Sequence, residues 1–198
     1  TIGLSAELLR GHSVRRTAFL AWCHGFGLWA YGGSWLYVSI HDYGYTPPWL
    51  ATPMVGFVAA VMALFFAFIG FLYARFKLER APLLALPALW VLGEWLRSWL
   101  FTGFPWLFTG YAFIDTPLIG YAPLLGVFGI SLIAVFTGLV LFRVLADRTQ
   151  WPALAAVVAL WVTGAGLQHI AWTHPTGEAL SVSIVQGNIP QESKWQLE

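Results

Sequence analysis

The stretch PMVGFVAAVMALFFAFIGFLYA, residues 53–74, decides the fold class, because it carries no charged side chain over a length that can cross a membrane. A spanning helix needs about 20 mainly apolar residues, since the hydrocarbon core is about 30 Å thick and a helix rises about 1.5 Å per residue. The whole chain of 198 residues is 59% hydrophobic and 10% charged, with a mean hydropathy of +0.71. So few charges would not cover the surface of a small soluble protein. The composition therefore predicts a membrane protein.

Four further stretches have a similar length and apolar character, which predicts an all-α polytopic membrane protein. The predicted spans cover about residues 17–40, 53–74, 82–101, 122–142 and 151–172. The first of them is rich in glycine, which favours close helix packing in lipid. Together the five spans predict a transmembrane helical domain over residues 1–173.

Lysine and arginine in the short connections predict the orientation of these spans, because basic connections stay on the cytoplasmic side. The basic residues of alternate connections are Arg10, Arg15 and Arg16, then Arg75, Lys77 and Arg80, and then Arg143 and Arg148. The opposite connections are nearly uncharged, and residues 102–121 contain neither lysine nor arginine. Because the number of predicted spans is odd, residues 174–198 are predicted to lie on the outer side.

The segment after the last predicted span has a different pattern. Residues 180–184, LSVSI, alternate apolar and polar side chains with the period of a strand, and residues 186–190, QGNIP, are typical of a turn. We therefore expect residues 174–198 to form a linker and the first strand of an extracytoplasmic domain in a longer protein.

Aromatic side chains collect in the two outer connections. They are Trp35, Tyr37, Tyr43, Tyr45 and Trp49 in one connection and Trp99, Phe101, Phe104, Trp106, Phe108, Tyr111 and Phe113 in the other. One interpretation is an interfacial belt, for which Trp and Tyr are well suited. The other is a lipid-lined cleft at the outer leaflet. The long, apolar segment 102–121 favours the cleft and is expected to pack on the bilayer.

Glu94 and Arg97 lie inside the third predicted span, three residues apart and therefore on one helix face. Ionisable residues at membrane depth are costly and are candidates for function. Two interpretations stay open. The residues form a structural ion pair that fixes helix packing, or they contact a phospholipid headgroup or a neighbouring domain.

Other polar residues give weaker signals. The net charge of +1 gives no indication of the clustered basic surface that nucleic-acid binding requires. Cys23 is the sole cysteine, and its neighbour His24 points about 100° away on a helix, so we interpret Cys23 as a packing residue. His169 and His174 have no carboxylate or cysteine at a metal-ligand spacing, and we expect neither a metal nor a cofactor.

Gly103, Pro105 and Trp106 follow the third predicted span. Gly103 permits unusual backbone angles and Pro105 fixes its own, so Trp106 is presented at a defined turn. The alternative interpretation is simple helix termination with an interfacial anchor.

Several motifs in combination carry a family resemblance. They are EWLR at 94–97, TGFPW at 102–106, GY at 110–111, VQGNIPQ at 185–191 and KW at 194–195, together with GFG at 25–27 and WLYVSI at 35–40. This combination resembles the bacterial apolipoprotein N-acyltransferases. The resemblance implies an eight-span inner-membrane enzyme with a periplasmic nitrilase-like domain before its last span. It also implies acyl transfer from a phospholipid to the lipidated N-terminal cysteine of a lipoprotein, through a thioester enzyme intermediate.

The resemblance implies that the cysteine nucleophile, glutamate base and lysine belong to the nitrilase-like domain, so no catalytic residue is expected among residues 1–198. Cys23 lies in a predicted span and is not that nucleophile. The expected substrate-binding and lipid-binding residues are Trp195, Gly103, Trp106, Pro105, Tyr111, Glu94 and Arg97. Trp195 is expected at the entrance of the catalytic site, and Gly103 and Trp106 are expected in an outer loop that lines the lipid entry. The expected partners are the membrane, a phospholipid donor and a diacylated apolipoprotein, with no nucleic acid.

Two other functions are weighed against this one. A small transporter would need polar groups near the bilayer midplane or a repeated pattern, and the sequence offers the off-centre Glu94 and Arg97 instead. A mere anchor for a nitrilase-like domain with a soluble substrate would not need five spans or the aromatic segment 102–121.

Overall fold

The fold is a bundle of helices. The computed structural model describes residues 11–146, 151–178 and 180–189, and in these ranges the chain forms five long helices. They are α1, Val14–Gly32; α2, Pro48–Arg75; α3, Pro82–Trp99; α4, Ala122–Ala146; and α5, Trp151–Leu167. Shorter helical turns connect them at Leu36–Val38, Ser39–Tyr43, Leu78–Arg80, Leu100–Thr102, Thr109–Phe113 and Pro117–Tyr121.

Local sequence explains where the helices begin. The Ser13 hydroxyl accepts a hydrogen bond from the Arg16 backbone N–H, 3.4 Å away, and so caps α1. Both α2 and α3 begin with a proline, which lacks the N–H that the first helical turn leaves unpaired. Between them Lys77 has a φ of 51°, a left-handed angle that reverses the chain tightly.

The most extensive helix contact joins α1 to α2. A Cβ added at Gly25 would lie 2.6 Å from the Phe66 ring, so the glycine is what lets the two backbones approach. The resulting core contains Trp29, Ala59 and Phe66. A second core joins the C-terminal part of α2 and the N-terminal part of α3 to α4 through Ile69, Tyr73, Leu86, Leu89 and Leu139. A third lies where α4 meets α5 and the preceding turn, with Leu118, Tyr121, Ile130, Ile133 and Ala134.

Each predicted span coincides with a long helix, and the all-α class is confirmed for the described residues. The first helix is shorter than predicted, because α1 ends at Gly32 and the chain continues as separate turns to Tyr43. The last also ends early, at Leu167, followed by a turn in which His169 N–H donates to the Gly166 carbonyl. The second begins earlier, at Pro48, and accommodates Pro53 within its length.

Two segments are long and apolar enough to cross a membrane by length and composition. They are Pro48–Arg75, with a mean hydropathy of 2.6, and Pro117–Leu145, with 2.5. The helix Trp151–Leu167 is apolar but shorter, and α1 and α3 are not apolar enough for this criterion. Five membrane crossings therefore remain a prediction, whereas five helices are observed in the described ranges.

The strand predicted at residues 180–184 is not found. These residues form neither helix nor strand, and Leu180, Val182 and Ile184 are exposed. A strand needs a neighbouring strand for its backbone hydrogen bonds. None of the described residues supplies that neighbouring strand. The alternation of apolar and polar side chains in residues 180–184 was therefore not enough to specify a strand.

Candidate functional site

The segment that follows α3 has an unusual backbone. Phe101, Thr102 and Leu107 have φ values of 54°, 74° and 57°, which side-chain-bearing residues rarely adopt. Gly103 has a φ of 83°, and an added Cβ would overlap the Ser98 carbonyl group. Glycine is therefore required at this position, and several strained residues together fix the path of the chain.

Glu94 holds this segment from α3. Its side chain is 4% exposed, and Oε1 accepts hydrogen bonds from the Thr109 backbone N–H at 2.7 Å and from Trp90 Nε1 at 3.0 Å. The Trp90 indole N–H also lies 2.8 Å from Thr109 Oγ1. A charge-assisted bond to a backbone N–H is stronger than a neutral one. Glu94 therefore fixes the position of Thr109 relative to α3.

Arg97 holds the same segment one turn further along α3. It is 3% exposed, and its guanidinium carbon lies 5.0 Å from the ring centroids of both Trp29 and Phe108. Its Nη2 atom donates a long hydrogen bond of 3.4 Å to the Leu107 carbonyl. Its own backbone carbonyl accepts from the Phe104 N–H at 2.8 Å. Arg97 therefore joins α1, α3 and the segment beyond.

No salt bridge of 4 Å or less joins Glu94 to Arg97 in the part of the chain that the structure describes, although the two charges still attract each other. Both residues are buried, and their polar contacts go to the segment beyond α3. We call the group of Trp29, Trp90, Glu94, Arg97, Phe108 and Thr109 the buried clamp. The buried clamp positions a neighbouring loop. Neither of the two interpretations made from the sequence described this role.

The loop of residues 102–121 folds onto the helices and does not extend away from them. Phe108 is 4% exposed and packs 5.5 Å from the Phe128 ring of α4. The Gly110 backbone N–H donates to Ser131 Oγ of α4 at 2.7 Å, and both residues are buried. The loop therefore forms a fixed rim at one end of the bundle.

The predicted site residues Pro105, Trp106 and Tyr111 lie exposed on this rim, and 53% of Trp106 and 52% of Tyr111 is accessible. The Trp106 ring lies 5.3 Å from that of Trp35, so the connection after α1 meets the connection after α3 through aromatic side chains. Tyr111 stacks on buried Phe108 at 5.8 Å. The remaining predicted residue, Trp195, lies outside the described residues.

A groove runs between α2 and α3 beside the rim. Its volume is about 700 Å³, and its walls are almost wholly apolar. The lining residues are Val61, Met62, Leu64, Phe65 and Phe68 of α2, with Leu96, Arg97, Leu100, Phe101, Thr102, Gly103 and Phe104. The groove therefore connects the middle of α2 to the strained turn at Gly103.

Sequence reasoning missed several members of the clamp. The spacing of four between Trp90 and Glu94 indicated a shared helix face and could have identified Trp90. No local signal pointed to Thr109 or Trp29 in the clamp, or to Ser131, which contacts the rim, because these residues come together through tertiary packing. The interpretation of Cys23 as a packing residue is wrong, since its side chain is exposed on α1. The neighbouring His24 is partly buried, with its ring 6.0 Å from that of Trp90.

Comparison with known proteins identifies relatives of the chain. A relative from Nitrosomonas europaea, named apolipoprotein N-acyltransferase, is 42% identical over 202 residues, covering 100% of this chain and 41% of the relative. Relatives of the same name from Ralstonia nicotianae and Pseudomonas syringae pv. tomato are 40% and 43% identical, covering 98% and 94% of this chain and 38% of each relative. The chain thus spans about two fifths of the length of these relatives.

The match to a family profile covers the rim and the first three long helices, and it ends within α4. Residues 2–140 match the family described as the apolipoprotein N-acyltransferase N-terminal domain. This range includes α1, α2, α3, the buried clamp and most of α4. The chain belongs to the family of apolipoprotein N-acyltransferase N-terminal domains.

Proposed function

We propose that this chain is the membrane part of an apolipoprotein N-acyltransferase, which transfers an acyl chain from a phospholipid to the N-terminal lipidated cysteine of a lipoprotein. The family match over residues 2–140 carries the proposal. The geometry agrees with it, because a fixed aromatic rim lies beside a deep apolar groove. Such a pair of surfaces suits a substrate whose tails stay in lipid while its ester is presented at the surface.

The proposal includes a topology. All five helices cross the bacterial inner membrane, and residues 174–198 lie on the periplasmic side and lead into a nitrilase-like domain. The support is the distribution of charge: Arg15, Arg16, Lys77 and Arg80 lie at one end of the bundle, whereas the rim at the other end has no basic residue between 102 and 121. The apolar segments Pro48–Arg75 and Pro117–Leu145 supply two crossings by composition alone.

The proposed reaction proceeds in two acyl transfers. A cysteine thiolate of the nitrilase-like domain attacks the ester carbonyl carbon of the phospholipid, a C–S bond forms, the C–O bond breaks, and a lysophospholipid leaves. The α-amino group of the diacylated cysteine then attacks the thioester, the amide C–N bond forms, the C–S bond breaks, and the cysteine thiol is regenerated. A glutamate of the same domain accepts the proton that each nucleophile loses and returns it to each leaving group.

In this proposal the chain itself binds and orients lipid. Gly103 and Pro105 shape the rim, and Trp106 and Tyr111 line the lipid entry. Glu94 and Arg97 hold the rim in place through the buried clamp. Trp195 lies at the entrance of the catalytic site.

The test uses the intact protein in phospholipid vesicles with a synthetic diacylated cysteine peptide. We expect mass spectrometry to detect N-acylated peptide and lysophospholipid in equal amounts, and no product from a control peptide whose amine is acetylated. Trp195→Ala is expected to slow acylation roughly 100-fold by misplacing the substrate. A protein that leaves the peptide unmodified, or that moves a solute across the vesicle without acylating it, contradicts the proposal.

A further inference from the structure

A small cavity lies between α2 and α3 at the buried clamp. Its wall on α3 has the spacing of one helix face, and its main lining residues are Trp90, Gly93, Glu94 and Arg97 of α3 with Phe66 and Ile69 of α2. Gly93 brings no side chain to this wall, and an added Cβ there would lie 2.5 Å from Ile69 Cδ1. The cavity offers about 10 Å³ to the centre of a water-sized sphere. One water molecule needs roughly 10–15 Å³ by this measure, so the space suits a single water and no larger ligand.

Two buried polar atoms of the clamp have no hydrogen-bond partner in the part of the chain that the structure describes. They are Oε2 of Glu94 and Nε of Arg97. The two residues are 4% and 3% exposed, and both line the cavity. A buried polar atom that stays unpaired is costly, because it has lost its hydrogen bonds to bulk water and gained none in return. The cavity therefore brings together two atoms that each require a partner.

The chemistry of these two atoms selects the occupant. The Glu94 carboxylate oxygen accepts a hydrogen bond, whereas the Arg97 Nε–H group donates one. A cation would be repelled by Arg97, an anion would be repelled by Glu94, and an apolar group would satisfy neither atom. A water molecule both donates and accepts, and buried water in proteins binds roughly two to four polar groups in this way.

We propose that this cavity binds one water molecule, which donates a hydrogen bond to Glu94 Oε2 and accepts one from Arg97 Nε. The water joins the two residues that hold the rim without a direct salt bridge between them. The Thr109 N–H group, Glu94, the water, Arg97 and the Leu107 carbonyl then form one connected network. The site belongs to the fold of the clamp and does not depend on acyl transfer, so its tests need no lipid substrate.

The first experiment is a cryo-electron-microscopy map of the intact protein in lipid nanodiscs, at a resolution that shows ordered water. We expect one density peak within about 3.2 Å of both Glu94 Oε2 and Arg97 Nε. Direct contact between these two atoms would overturn the proposal. So would the lack of a peak in a map that shows ordered water at other buried positions.

The second experiment is brief X-ray irradiation of the intact protein in vesicles, followed by mass spectrometry. Hydroxyl radicals that form from a bound water oxidise the side chains next to it. Phe66 and Phe108 are 8% and 4% exposed, and Phe66 lines the cavity whereas Phe108 does not. We expect Phe66 to be oxidised several times faster than Phe108. Equal rates for the two rings would contradict the presence of water in the cavity.

Gly93→Ala tests whether the water occupies this cavity, because the added methyl group takes its space. Oxidation of Phe66 should fall to the rate of Phe108, and the midpoint of thermal unfolding should fall by a few degrees as two buried atoms lose their partner. The matched control is Gly56→Ala on α2, where no atom lies within 4 Å of an added Cβ. This control should keep the fast oxidation of Phe66 and should be at least as stable as the unchanged protein.

A further variant separates steric overlap from loss of water. Ile69→Val removes the Cδ1 atom that the new methyl group of Gly93→Ala would meet. The double variant should therefore accommodate the methyl group and still be less stable than Ile69→Val alone. If the two are equally stable, displacing the occupant costs nothing and the proposed water site is wrong. Fast oxidation of Phe66 that persists in Gly93→Ala would lead to the same conclusion.

Discussion

The two halves of the bundle are held together by different forces. The corner of α1, α3 and the rim buries two ionisable side chains, Glu94 and Arg97, among aromatic rings. The contact of α5 with α4 and with the turn before α4 is largely apolar, and among the described residues it contains two neutral side-chain hydrogen bonds. Tyr121 donates its hydroxyl proton to the Leu160 carbonyl at 2.9 Å, and the Trp161 indole N–H donates to Thr137 Oγ1 at 3.1 Å.

The difference shows what each half can specify. Apolar packing has no preferred direction, so the α4–α5 interface stabilises the bundle without fixing one orientation of a loop. Hydrogen bonds to a buried carboxylate are directional, and leaving such a group unpaired is costly. The clamp therefore sets where the rim lies, and the position of Trp106 and Tyr111 depends on it. Substitutions in the clamp should affect activity and stability, whereas those between α4 and α5 should affect stability alone.

The largest effect is expected for Glu94→Ala. This change leaves the Thr109 N–H without its acceptor and removes one acceptor of Trp90, at a cost of about 3–5 kcal/mol in the free energy of unfolding. Glu94→Gln keeps an oxygen that can accept the Thr109 N–H and should recover most of that stability. Unfolding in mixed detergent micelles measures the stability of both variants. The rate at which the intact protein acylates the diacylated peptide reports whether the rim is correctly positioned. If Glu94→Ala is as stable and active as the unchanged protein, the clamp does not hold the rim.

A smaller effect is expected for Arg97→Gln. The substitution removes the contacts of the guanidinium with the Trp29 and Phe108 rings, and we expect a loss of about 2 kcal/mol. Arg97→Lys keeps the charge but not the planar group that stacks between two rings, so its loss should be intermediate. The same unfolding assay measures the stability of both variants and of the unchanged protein. An Arg97→Lys variant as stable as the unchanged protein would show that charge, and not stacking, is what Arg97 supplies.

Much of the fold could be predicted from sequence because lipid imposes a simple length requirement. Apolar stretches gave the helices, and proline gave the first residue of α3. The ends of α1 and α5 were predicted too late, since apolar residues at 35–40 and 170–172 continue the hydrophobic pattern after each helix has ended. Composition does not show where such residues leave the helix and pack against a neighbouring loop.

The site could be predicted only in part. Glu94 and Arg97 were identified because charge inside an apolar stretch is unusual, and Gly103 because glycine accommodates a positive φ. Their partners Thr109 and Trp29 are remote in sequence and carry no unusual pattern of their own. The direct pairing of Glu94 with Arg97 was a reasonable expectation from spacing. Instead the Thr109 backbone N–H and the Trp90 indole N–H donate to Oε1 of Glu94, and its Oε2 atom has no hydrogen-bond partner in the part of the chain that the structure describes.

The smallest effects, about 1 kcal/mol each, are expected for a matched pair of hydroxyl substitutions on α4. Ser131→Ala removes the acceptor of the Gly110 N–H in the rim, and Thr137→Val removes the acceptor of the Trp161 N–H between α4 and α5. Both should lower the midpoint of thermal unfolding by similar amounts, because each leaves one N–H group without its partner. The two variants should differ in acylation rate, since Ser131 contacts the rim and Thr137 does not. If Thr137→Val slows acylation as much as Ser131→Ala does at a temperature where both are folded, the rim is not positioned independently of the α4–α5 interface.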